Sequence, residues 1–114
     1  MNAAMSNVHA DRLLKTAIRE LRLVVFTLNG RARVAEPHDY GLIEGEPRLF
    51  FYQIGGQSSP GSALGWRWAV VSKISDLRLL EQHFRGPRPA PSGKRIKWDR
   101  LFATVRLAVV RDEA

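Results

Sequence analysis

Residues 22–43 read RLVVFTLNGRARVAEPHDYGLI, and the fold turns on how this stretch is divided. RLVVFTL is rich in β-branched and aromatic residues, and Asn29-Gly30 separates it from RARVAEP. Asn-Gly between two such runs predicts a type I′ hairpin, because both central residues of that turn need positive φ. A two-residue loop also sets the register: Leu28 faces Arg31, Phe26 faces Arg33, and Val25 faces Val34. Pro37 has no amide hydrogen for a ladder, so the second strand is expected to end there. EPHDYG, residues 36–41, then reads as a corner between strands, with Asp39 making a local side-chain turn, Gly41 relaxing the backbone, and the whole able to line a ligand groove.

On the N-terminal side, HADRLLKTAIRELR places Leu13, Leu14, Ala17, Ile18 and Leu21 at helical spacing. This predicts an amphipathic helix over 9–22, with Asn7 as its N-cap and Asp11 near the positive end of its dipole. On the C-terminal side, EGE at 44–46 is a second tight reversal, and residues 48–54 are apolar or aromatic on both faces, as in a central strand. GGQSSPGSALG is an eleven-residue loop and a candidate binding edge. WRWAVVSKI returns as a strand, and SDLRLLEQHF continues it or forms a short helix. Three prolines and two glycines make RGPRPAPSGKRIK an extended basic arm over 85–97. In the terminal element, 98–111, the spacing of Trp98, Leu101, Phe102, Val105 and Val109 favours a helix, although Val105, Leu107 and Val109 also alternate as in a strand. The expected fold is a single α+β domain over 1–114. Its N-terminal helix precedes a small, strongly bent antiparallel β-barrel over 22–84, since closure removes exposed edges.

Composition bounds the function. The 114 residues suit one domain with a core of its own, and 45% hydrophobic against 25% charged residues is ordinary globular usage. The absence of cysteine excludes disulfides, thiolate zinc sites and cysteine nucleophiles. With no leader-like start and no apolar run of membrane-spanning length, the expectation is a soluble cytoplasmic protein without membrane contact. The net charge of +7 is concentrated: residues 85–106 hold seven Arg and Lys against Asp99 alone, leaving +6.

Catalytic constellations are lacking. Ser58, Ser59 and Ser62 sit in no nucleophile elbow, His9, His38 and His83 have no metal-ligand spacing, and GGQSSPG lacks the lysine of a phosphate-cradling loop. Making His38 a general base oriented by Glu36 or Asp39 fails because adjacent side chains at a bend diverge. The expectation is therefore a non-enzyme that needs no cofactor and no metal. Arg31 and Arg33 on the hairpin, Arg67 between Trp66 and Trp68, and the basic arm combine cations with rings. Cations of this kind hold phosphates and rings of this kind hold unstacked bases.

AIRELRLVVFTLNGRARVAEPHDYGL, EGEPRLFFYQI and GWRWAVVSKISDLRLL together resemble the WYL domain of bacteria across roughly residues 13–83. The likeness lies in the order of elements, the arginine-rich hairpin leading to Glu36-Pro37, the aromatic strand and the closing SKIS. FFYQI stands at the strand where the naming Trp-Tyr-Leu would fall, and Val70 where many members carry arginine. The resemblance implies a helix followed by an Sm-like, SH3-type barrel. It also implies a role in sensing nucleic acids or nucleotide-like anions in transcription regulation, with Lys73 at a basic position of the family. The expected binding residues are Arg31, Arg33, Arg67 and Lys73 on the barrel, Lys94, Arg95 and Lys97 on the arm, and Tyr40 and Tyr52 as stacking partners for bases. The alternative is a dimerisation or adaptor module, in which the C-terminal arm forms a homodimer or grips another protein.

Overall fold

The computed structural model describes residues 3–56, 64–89 and 96–106. One helix, α1 (Ala3–Glu20), precedes six strands: β1 (Arg22–Leu28), β2 (Arg31–Ile43), β3 (Glu46–Gly56), β4 (Gly65–Val70), β5 (Ser75–His83) and β6 (Arg100–Thr104). All pair antiparallel in one sheet of order β4-β3-β2-β1-β5, with β6 attached to β2. α1 starts earlier than the cap signal suggests, so Asn7 lies inside it; Ala3, Ala4 and Met5 are strong helix formers and carry it past that residue.

The hairpin forms as its turn chemistry dictates. Asn29 and Gly30 take φ of 54° and 73°, and Leu28–Arg31, Phe26–Arg33 and Val25–Val34 face one another. Glu44 and Gly45, at 53° and 79°, make a second such turn between β2 and β3. β4 ends at Val70, and a single 3₁₀ turn, Val71–Lys73, leads into β5. In a flat sheet β4 and β5 would lie about 19 Å apart. A link of this length in 3₁₀ geometry covers only about 10 Å. The sheet is therefore strongly curled, yet among the described residues β4 and β5 do not pair, and the expected barrel is not closed.

Two further expectations are corrected. β2 does not end at Pro37 but runs on to Ile43. Its ladder with β1 stops at Ala35 and its ladder with β6 starts at Asp39, so Pro37 sits between partners, beside a bulge in the β2–β3 register where His38 is the extra residue. The terminal element forms a strand over 100–104, because the second half of β2 offers it a bare edge; residues 107–111 lie outside the described residues. The start of the arm lies against the chain's own sheet: just before it the Phe84 amide donates to the Leu21 carbonyl, and within it Pro89 O accepts from Trp66 Nε1. Residues 90–95 and most of the Gly/Ser loop, 57–63, lie outside the described residues.

The core fills the concave side. Leu14, Ala17 and Ile18 of α1 meet Val24, Phe26 and Leu28 of β1, Ala35 and Tyr40 of β2, and Leu49 and Phe51 of β3. Phe26 and Phe51 contact edge-to-face at 5.1 Å. β6 docks so closely that a Cβ on Gly41 would overlap the Arg100 carbonyl oxygen and sit 2.9 Å from the Trp98 ring. Gly41→Ala is expected to cost about 1–3 kcal/mol in urea unfolding, as over-packing does. Gly55→Ala, whose Cβ would meet only Val34 at 3.8 Å, is the near-neutral control.

Candidate ligand site

Strand alternation divides the sequence-predicted residues between the two faces of the sheet. Arg67 pairs with Phe51 and faces the core side, whereas Trp66 pairs with Tyr52 and Trp68 with Phe50 on the outer side. The tryptophans therefore do not flank Arg67 in space, although they flank it in sequence.

On the concave side, Arg31, Arg33 and Arg67 gather at the end of the core. Arg33 is only 7% exposed. Its Nη1 donates to Gln53 Oε1 at 3.1 Å and its Nη2 to the Leu28 carbonyl at 3.2 Å, both neutral acceptors. Burial, followed by the nearby charges of Arg67 and Arg31, lowers its pKa from the usual guanidinium value. Two buried donors in this cluster, Arg33 Nε and Gln53 Nε2, have no acceptor among the described residues. Gln53 was not singled out from the sequence; its place between Ile54 and the apolar and aromatic run Leu49–Tyr52 was the available signal.

The outer side carries a row of rings. Phe50 and Trp66 stack at 4.6 Å with 9° between planes, and Trp68 lies 4.7 Å from Phe50 and 5.6 Å from Trp98. Arg88 reaches back over Tyr52, 3.9 Å from the ring centre, and clamps the buried Glu36 through two bonds of 2.6 and 3.0 Å. That pairing raises the Arg88 pKa. Tyr52 is half-buried beneath Arg88, so its open face is already covered. His38 lies edge-on to Trp66 at 4.8 Å, and Asp39 accepts from Thr104 Oγ1 at 2.5 Å, in place of the local turn expected of it.

Other expected residues fall elsewhere. Tyr40 is not a stacking platform: it is buried in the core, where its hydroxyl donates to Asp11 Oδ1 at 2.7 Å and its ring meets Phe102. Lys73 is exposed on the 3₁₀ turn and not on a strand, and Lys97 is exposed ahead of β6. Lys94 and Arg95 lie outside the described residues. Among the described residues no group of three His, Asp or Glu could hold a metal, and no helix is long and apolar enough to cross a membrane.

Burial, with the Asp11 carboxylate beside it, pushes the Tyr40 phenol well above its usual range. The unfolded phenol ionises near pH 10 and the folded one resists, so stability present below about pH 10 is lost as pH rises beyond it. In urea unfolding, Tyr40→Phe is expected to cost about 1.5 kcal/mol at neutral pH, the worth of a hydrogen bond to a charged group, and to flatten the alkaline loss. A scan against protein-family models and searches of curated proteins and of solved structures find nothing that matches this chain.

Proposed function

We propose that the chain is a non-catalytic ligand-sensing module of the WYL kind that binds a nucleic acid or a nucleotide-like anion through the arginine cluster. The observation that carries this reading is Arg33. It is a buried cation without a carboxylate partner among the described residues, crowded by two more arginines, beside buried donors that lack an acceptor. A buried charge of this kind is costly until an anion compensates it, and an oxyanion supplies both the charge and the missing acceptors. Arg31, exposed at the rim, meets the ligand first, and the basic stretch from Arg85 to Arg106 adds longer-range attraction. The order of strands, the helix laid across the core and the short link from β4 to β5 support reading the curled sheet as an open SH3- or Sm-like barrel.

A second reading, a dimerisation or adaptor module, is favoured by one observation: Trp68, 41% exposed, and Leu101 are bare large apolar side chains near Trp98. The fastening of Arg88 and Pro89 to the chain's own sheet counts against an arm that reaches for a partner. Salt separates the two. Phosphate binding releases condensed counterions and weakens steeply with salt, whereas an apolar interface barely responds.

The test is titration of fluorescent single-stranded RNA, single-stranded DNA and duplex DNA at several salt concentrations. The expected result is a log-log slope of several units, reduced by about one for each of Arg31→Ala and Arg67→Ala. Lys73→Ala, away from the cluster, leaves it unchanged. Failure of all three polymers to bind at low salt would overturn the reading, and sedimentation of the Trp98→Ala variant would then test self-association.

A further inference from the structure

The arginine cluster leaves the outer face unexplained. Phe50, Trp66, Trp98, Ile96 and His38 line a groove of about 380 Å³ there, within the range of small-molecule sites, which starts near 300 Å³. His38 is 4% exposed, and its Nδ1 lies 2.9 Å from the Glu36 carbonyl oxygen. A carbonyl only accepts, so Nδ1 carries the proton, and in the neutral ring Nε2 is a lone-pair acceptor. Nε2 is buried and has no partner among the described residues.

Charge decides what such a groove takes. Arg88 at its rim is neutralised by Glu36, and among the described residues lining the groove the remaining ionisable group beside His38 is the acid Asp39. A phosphate is thus disfavoured inside, while a flat, neutral, donor-bearing ring is matched by aromatic walls and one buried acceptor. We infer that this groove takes one unstacked nucleobase, stacked against its aromatic lining and donating an amino or ring N–H to His38 Nε2. The inference rests on the nucleic-acid or nucleotide reading and assigns the phosphates to the other face. β4 is an edge strand among the described residues, so a ligand passing round it meets Arg67 on one face and Trp66 on the other.

Three probes test this: a short cytidine oligonucleotide, an abasic sugar-phosphate strand of equal length, and free cytidine. The cytidine strand is expected to bind roughly five- to a hundredfold more tightly than the abasic strand, as one stacked base is worth. His38→Phe, which keeps a ring but removes the acceptor, is expected to erase most of that difference and leave abasic binding intact. Equal binding of the two strands to the native protein overturns the groove assignment while the arginine cluster stands. If neither strand binds, the arginine reading falls and free cytidine decides the groove. Quenching of tryptophan emission that is lost in His38→Phe supports it, and no quenching overturns it. Should His38→Phe fail to fold, the ¹⁵N resonance of His38 Nε2 in the native protein decides instead: a shift on adding cytidine supports the contact, and an unmoved resonance overturns it.

Discussion

At His38, β2 inserts a residue with no opposite number on β3, just after a compensating shift in which Ile54 of β3 is the extra residue, and this insertion sets which way the side chains after it point. Strand side chains alternate, so a shift of one residue exchanges the two faces. Ala35 and Pro37 are buried, and unbroken alternation would send Asp39 inward and Tyr40 outward. The bulge resets the count between Pro37–Phe51 and Asp39–Phe50. His38 and Asp39 then both belong to the outer side, and Tyr40 turns into the core to bond Asp11 of α1. Gly41 follows at the point where β6 must approach most closely. The anchoring of the helix, the docking of β6 and the lining of the outer groove all depend on this single insertion.

The same strand separates the two kinds of chemistry. Before the bulge, Arg31 and Arg33 lie on the concave side with Gln53; at and after it, His38 and Asp39 join the rings of the convex side. Burying Arg33 beside Arg67 and Arg31 opposes stability, since desolvation and like charges both disfavour its ionised form. On the convex side the opposite holds: Glu36 and Arg88 cancel each other, and the rings are left to supply contact area.

What could be read from residues alone was what is decided locally. Asn29-Gly30 fixes the hairpin and its register within a handful of positions, and the period of Leu14, Ala17 and Ile18 marks the helix face. The apolar run at 48–54 identified the strand flanked on both sides. The misread parts depend on distant partners. Whether Pro37 ends a strand depends on β6, some sixty residues later, leaving a gap opposite it. Arg100–Thr104 fits either period, and the bare edge of β2 selects the strand. Tyr40 and Tyr52 looked equivalent as stacking rings until the bulge and Arg88 gave them different surroundings. The cluster of cations was visible in sequence, but its division between faces required the register of β3 with β4.

The pairing order also has a consequence during synthesis. β1 to β3 are joined by two-residue turns, so this meander can form as soon as residue 56 has left the ribosome. The second edge of β1 waits for β5, and the far half of β2 waits for β6, whose last residue is Thr104. At about 5–20 residues per second, that interval lasts on the order of seconds. Through it the nascent chain carries an unpaired edge beside Val24 and Phe26, where another chain could add a strand.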